Sequence, residues 1–478
     1  MIEGFREAFK QTNCTMKKTL LCTSFLLSSM AAFSQNQADI WYFGHNAGLD
    51  FTGGSPVVLS NGALYADEGC SSISTPGGTL LFYTDGLTVY NKNHVAMPNG
   101  TGLNGGASTT HPAIIVPQPG SSHIFYVFTL DEYGSSDGLS YSIVDMLLDG
   151  GNGDVTTKNT LVDSMMTEKL AVVKEAGGND YWILVHKWGS NAFHAYQLTS
   201  VGFNATPVIS NVGIVHSTSM IQNTYGQMKM TGCGDRIALA DGYLDTLELF
   251  DFNTITGVVS NPIAVPVPDH LYGIEFSPNE QLLYVTTYEN GGSIVQYDIT
   301  STNPLVIQTS AFTLHVTSGA QIYGMQLASD GKIYVVTSYS PYLGVINSPD
   351  VPSIGANYVD LGINLDTAFS GLITNGLSLP SFPANFVHVN KSCTVGMNDF
   401  IMDDVNAIYP NPSNTAFNFM PNLPHAQVYV YDQLGNLVEQ FDNAKNSGFM
   451  FGSAYAPGVY MVVERNHEMV IQQKLVKQ

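Results

Sequence analysis

The sequence reads YGQMKM at 225–230, YGIEFS at 272–277, YGMQLA at 323–328 and NGLSLP at 375–380. The glycines of successive copies stand 47, 51 and 52 residues apart. Within each unit the order of segments is the same. A polar turn follows (near Asp235, Asn279 and Asp330), then RIALA, LLYVTTY or KIYVVTSY, then LELFDF, IVQYDI or LGVIN. A last short strand, such as PLVIQTS at 304–310, is expected to finish the unit. Each segment is apolar or alternating over five to seven residues and is bounded by turn signals, which is the pattern of a strand. Four such strands at a period of about fifty residues make one blade of a β-propeller.

Fainter copies lie upstream. They read EGCSSIS with TLLFYTDG, HPAIIVP with HIFYVFTLDE, and EKLAVV with YWILVHKW. First strands are therefore expected near residues 69, 111, 168, 226, 273, 324 and 376, which makes about seven blades. The seventh copy has only its first strand. IWYFG, GLDF and PVVL, between Ile40 and Leu59, supply the strands it lacks, so the ring is expected to close with N-terminal strands. An open blade would leave a row of backbone donors and acceptors unpaired.

Composition agrees with an all-β fold. The 478 residues include 25 Tyr, 24 Phe, 46 Gly and 22 Pro, with 44% hydrophobic and 12% charged residues. That excludes a disordered chain and disfavours a mainly helical one. The net charge is −22, and the only arginines are Arg6, Arg236 and Arg465. A nucleic-acid groove needs many cationic contacts, so no nucleic-acid partner is expected.

Met16-Lys17-Lys18, the apolar run from Leu20 to Phe33 and the small residues Ala32 and Ser34 read as a secretory signal peptide over residues 1–34, with 1–15 an upstream extension. No other run reaches the length of a membrane span, so none is expected in the mature chain. Cys70, Cys233 and Cys393 remain after removal of the leader. Three cysteines make no disulfide framework and match no zinc spacing, so they are read as small core residues with at most one bridge.

The propeller is expected over residues 35–387 and a linker over 388–406. Residues 407–478 carry further short strands, among them QVYVYDQLGNLV and PGVYMVVE, and suggest a small C-terminal β-sandwich. YPNP at Tyr409, Pro410, Asn411 and Pro412, VYDQLGNLV with Gly435, PGVY with Gly458 and the terminal KLVK beginning at Lys474 resemble the type A sorting domain of the type IX secretion system of Bacteroidota. The resemblance implies the outer-membrane translocon as a partner and a location outside the cell or on its surface. IWYFG, LLFYTDG and YGIEFSP resemble uncharacterised propeller proteins secreted by the same bacteria. Tyr-Val-Thr at 284–286, with the parallel Tyr-Val-Val-Thr at 334–337, resembles YVTN surface-layer repeats. These resemblances imply a fold and no activity.

Propeller ligands sit where the innermost strands begin. Tyr225, Tyr272 and Tyr323 recur there and offer rings for stacking on a sugar face; a repeated Tyr-Gly equally fits packing between blades. His111, Glu168 and Lys169 stand at the same level without repeating, so the fold does not demand them. His186 and His194 flank Trp188 and are weighed as metal ligands. Asp149, Asn152 and Asp154 in LDGGNGDV offer oxygen ligands for calcium, but lack the EF-hand glycine and distal glutamate. Asp131, Glu132 and Asp137 carry the same ambiguity. No cofactor other than calcium is suggested, and no GxSxG, HExxH or P-loop occurs. The expected role is secreted or surface recognition of a glycan or protein. A polysaccharide hydrolase or lyase, marked by paired inward carboxylates, and a non-binding structural surface component are the alternatives.

Overall fold

The computed structural model describes residues 36–289, 291–387, 408–419, 427–433, 436–442, 449–465 and 470–478. The expected leader, the whole expected linker, Cys393 and Gly435 lie outside them. The chain forms two compact units, which divide at residues 392 and 393.

In the first unit six four-stranded antiparallel sheets follow one another, each running outward in sequence order. Their innermost strands are Ser71–Ser74, Ala113–Pro117, Met166–Lys174, Met228–Met230, Leu271–Phe276 and Ile322–Leu327. These are blades 1 to 6. A three-stranded sheet of Ile40–Phe43, Ala47–Asp50 and Val57–Leu59 begins blade 7. The innermost position of that blade is held by residues 374–381, which touch the ring by bridges rather than as a continuous strand: Thr374 pairs with His45, and Pro380 with Cys70. The fold is a seven-bladed β-propeller closed by N-terminal strands.

The core lies between neighbouring sheets. One buried cluster joins Phe128 and Leu139 of blade 2 to Leu170 and Ile183 of blade 3; another joins Leu249 of blade 4 to Ile274 and Val285 of blade 5. At the closing blade Trp41 is fully buried, packs edge-on against Tyr334 of blade 6 at 5.7 Å, and donates its indole N–H to Ala38 O at 2.7 Å.

The stretch PLVIQTS departs from expectation. Pro304–Thr309 is a single helical turn, and Phe312–Val316 is the outermost strand of blade 5. Asn303 accepts a side-chain hydrogen bond from Leu305 N at 3.0 Å and Pro304 stands at the first helical position, so the Asn-Pro pair starts a helix despite the β-branched residues after it. The cysteines also differ from one another. Cys70 is free and buried, with its thiol held well above its usual pKa by burial. Cys233 is disulfide-bonded, so it is more than a small core residue; its partner lies outside the described residues.

The second unit has a sheet ordered Leu437–Asp442, Gln427–Asp432, Gly458–Arg465, Val470–Lys477, and a pair Phe417–Phe419 with Phe449–Phe451. Phe417, Phe451, Val428, Val430, Val462 and Leu475 form their common core. Asn411 accepts from Val476 N at 2.9 Å and donates to Lys474 O at 2.7 Å. The YPNP loop therefore clasps the strand that contains the terminal KLVK. Gly458 opens the strand paired to it, opposite Lys477.

The repeated Tyr-Gly has a packing reason. A Cβ on Gly273 would stand 2.3 Å from Tyr323 O, and one on Gly324 would stand 2.6 Å from Ser378 Oγ. Adjacent innermost segments approach too closely for any side chain there. Gly273→Ala is expected to lower unfolding free energy by about 2 kcal/mol in urea titration. Gly53→Ala, whose Cβ meets nothing within 4 Å, should leave it within about 0.5 kcal/mol. Equal effects would refute this account.

Candidate functional site at the upper face

The upper face is the end at which the innermost strands begin. The channel beneath it is filled by side chains that reach from blade to blade. Tyr272 of blade 5 donates its hydroxyl to Glu68, which precedes blade 1, and Ser108 donates to the other oxygen of Glu68 at 2.9 Å. Glu168 of blade 3 accepts from Thr110 N at 3.0 Å and Thr110 Oγ1 at 2.9 Å. Lys169 is fully buried and donates to Thr224 O at 3.1 Å and to Tyr225 O.

One layer lower, Gln227 Oε1 of blade 4 accepts from Ile274 N of blade 5 and Met325 N of blade 6, both at 3.1 Å. His111 Nε2 accepts from Met228 N at 3.3 Å, which fixes the proton on Nδ1; Nδ1 donates to Ser381 Oγ at 2.8 Å. Below these, Lys229 pairs with Glu275 at 3.1 Å and donates to Gln326. A small cavity at this lower end is lined by His111, Lys229, Glu275, Gln326, Ser381 and Phe382.

Burial governs the electrostatics of this filling. The Glu168 carboxyl is pushed up to about 8 by burial and then by the neighbouring Glu68, against the hydrogen bonds it accepts. Glu68 is raised by burial too. Burial lowers the amine of Lys169 and holds His111 well below its usual value, where it stays neutral. Beside Lys169, His216 Nδ1 lies 3.2 Å from Asp241 Oδ2, near enough for attraction but off the line of a hydrogen bond. Burial lowers His216 to about 4.

The structure thus separates the residues that sequence brings together. Tyr272, at 3% exposure, belongs to the filling with His111, Glu168 and Lys169. Tyr225 and Tyr323 are half-buried, at the upper ends of their blades. There Tyr288 stacks on Tyr323 at 5.7 Å, and Tyr133 lies 6.0 Å from Tyr225. Tyr243, His270, Tyr65, His45 and Tyr339 continue the ring outward: Tyr243 lies 4.7 Å from His270, and His45 stacks on Tyr65 at 3.9 Å. Tyr288 and Tyr339 are missed by a reading centred on Tyr-Gly. Both end the second strand's segment, in LLYVTTY and KIYVVTSY, so the signal is present in the repeat.

His186 and His194 do not converge. His186 is opposite Phe193 and His194 opposite Val185, which puts the two imidazoles on opposite faces of one sheet. His194 instead joins Lys187 and Tyr196 around Asp163, at 2.7, 2.8 and 2.9 Å. Those partners outweigh burial and hold Asp163 at about 2. Asp149, Asn152 and Asp154 lie at the lower face, where Asn93 donates to Asn152 and Asn99 to Asp154, both at 2.9 Å. Asp131 binds Glu132 N and Ser135 within its own turn, while Glu132 accepts from Ser108 N at 3.0 Å. Among the described residues no three His, Cys, Asp or Glu side chains are grouped to hold a metal.

Residues 407–478 match the secretion system C-terminal sorting domain. No curated protein matches the chain. Among solved structures, PorZ of Porphyromonas gingivalis, described as an essential bacterial surface component of the type-IX secretion system, is similar at 12% identity with a TM-score of 0.37. The match covers 93% of this chain and 59% of that one, so this chain spans about three-fifths of its length. A putative 6-phosphogluconolactonase from Bacteroides fragilis matches at 10% identity, TM-score 0.39, over 61% of this chain and 80% of that one. The periplasmic gluconolactonase of Pseudomonas aeruginosa matches at 10%, TM-score 0.35, over 72% and 89%. The C-terminal domain marks the chain for type IX secretion, to the cell surface or the extracellular space. Among the described residues no helix is long and apolar enough to cross a membrane.

The raised Glu168 gives a pH prediction. A carboxyl whose folded pKa exceeds its unfolded value binds more protons when folded, so its contribution to stability falls as pH rises from about 4.5 to about 8. Glu168→Gln removes that dependence. The thermal midpoint of the wild type is expected to drop relative to the variant between about pH 5 and about pH 8. Parallel curves would show that Glu168 holds no proton in the folded state.

Proposed function

We propose that this is a secreted recognition protein that binds an extracellular glycan or protein on the upper face of its propeller, above the filled channel. The carrying observation is the group of half-buried rings at the upper end, where Tyr133 lies against Tyr225 and Tyr288 stacks on Tyr323. Such rings supply apolar contact with a polar rim and lose little freedom on binding. The plug gives them a rigid floor.

A specific observation raises the alternative of polysaccharide cleavage: Glu68 and Glu168 are inward carboxylates, both raised by burial, and Glu168 also by the charge of Glu68. Their surroundings favour a structural role. Glu168 is held by Thr110, and Tyr272 covers Glu68, which leaves no approach for a glycosidic bond. The purely structural alternative gives no reason for solvent-facing rings at the mouth.

The test is binding of the full mature chain to an array of soluble glycans and to purified surface proteins, beside the double variant Tyr225→Ala/Tyr323→Ala. Binding by the wild type, weakened at least tenfold in the variant, is expected. Turnover of a bound glycan would replace this reading with the enzymatic one, and equal binding by both chains would place recognition elsewhere.

A further inference from the structure

The upper face has a charge pattern that the tyrosines do not require. Among the described residues, none of the connections ending on this face contains a lysine or arginine. The lower connections do, at Lys92 and Lys332. Lysines next to the upper loops are already committed: Lys169 is buried, Lys187 is paired with Asp163 at 2.8 Å, and Lys158, at the outer edge, donates to Thr101 O at 3.0 Å. The same upper connections expose Asp67, Asp245 and Glu289 among the rings. His45 lies 2.9 Å from Asp67, and His270 lies 2.7 Å from Asp245. Carboxylates beside aromatic faces, met by histidines but by no lysine or arginine among the described residues, form a surface complementary to ammonium and guanidinium groups.

A second feature bears on what carries those cations. The connection after blade 6 turns at residues 366–371, where the Asp366 carboxylate accepts from Ser370 N at 3.0 Å and from Gly371 N at 2.6 Å. This capped turn presents Phe369 at 82% exposure and Leu372 at 73%. Tyr65 and Tyr339, at 62% and 46%, stand out from neighbouring loops. A sugar face can stack on Phe369, but a neutral sugar brings no cation and no apolar side chain for Leu372, whereas a protein segment offers both.

We propose, resting on the recognition reading above, that the upper face docks a lysine- or arginine-rich segment of a protein partner, with its cations over the tyrosines and between Asp67, Asp245 and Glu289.

The probe is a labelled nona-lysine peptide, titrated against the full mature chain by fluorescence anisotropy at two salt concentrations. A chitosan oligomer serves as the amine-bearing glycan, and its fully N-acetylated form as the neutral glycan. Expected are peptide binding that weakens with salt, a loss of at least tenfold in Asp67→Lys/Glu289→Lys and in Tyr288→Ala, and no change in Asp149→Lys/Asp298→Lys on the lower face. Thermal midpoints of all variants verify folding. Equal losses from upper and lower variants would reduce the effect to net charge and overturn the inference. Preference for chitosan over the peptide would overturn the choice of a protein partner. Salt-independent binding of the acetylated glycan, without peptide binding, would remove the cationic inference while leaving recognition standing. Absence of peptide binding beside retained binding of any array ligand would do the same.

Discussion

A ring of sheets stands or falls at the seam where its two ends meet. Here the seam is made by residues 374–381, which enter between the first blade and the N-terminal sheet. Leu377 N donates to Asp67 O at 2.9 Å, Gly324 N to Leu377 O at 3.0 Å, and Ser381 N to Cys70 O at 2.8 Å. These bonds tie one segment to blade 6, some fifty residues away in sequence, and to the start of blade 1, some three hundred away. Each joins groups that would otherwise be buried unpaired, a cost comparable to a lost hydrogen bond per group. Everything inside the ring depends on this closure, because the channel filling reaches across it: His111 of blade 2 meets Ser381 of the closing segment, and Glu68 meets Tyr272.

The filling is polar, which needs explanation. Innermost strands converge on an axis, and apolar side chains there would satisfy no backbone group. The carbonyls and amides that face the axis are instead answered by Gln227, Lys169 and Thr110. Gln227 alone takes two backbone amides from two different blades. A buried amide or carboxyl so used is costly if any partner is missing and specific if none is. The channel therefore acts as a lock on blade order, and its ionisable groups take their shifted pKa values from that burial. The same physics commits Glu68, Glu168, Lys169 and Gln227 to partners inside the ring.

Much of this was legible in the repeat. The period, the polar turns and the missing strands gave the blades and their closure, and the YPNP and KLVK segments gave the sorting domain. Where the reading failed, two local rules competed. PLVIQTS has the composition of a strand, yet Asn303-Pro304 is a helix start, and the cap won. Tyr225, Tyr272 and Tyr323 occupy one repeat position but not one environment. Tyr272 alone finds Glu68 across the axis, a partner invisible in sequence because it stands 204 positions away. His186 and His194 looked adjacent, and the register of a single strand pair sent them to opposite faces. Contacts within a blade follow from the repeat; contacts across the axis do not, because they depend on which blades end up opposite.

The placement of charge follows a different logic from the placement of the core. Nothing in propeller geometry bars a lysine from a loop at the mouth, and lower loops of the same blades carry them. The upper loops include long ones, such as 212–227 and 365–373, with ample room for a solvated lysine. Among the described residues the exposed carboxylates of Asp67, Asp245 and Glu289 have histidines, and no lysine or arginine, as ion-pair partners, and they stand among aromatic rings where screening is weaker than around isolated charges in water. A structural face gains nothing from unanswered charge, which repels itself and opposes folding. A binding face gains steering and register from it, provided that the partner brings the missing cations.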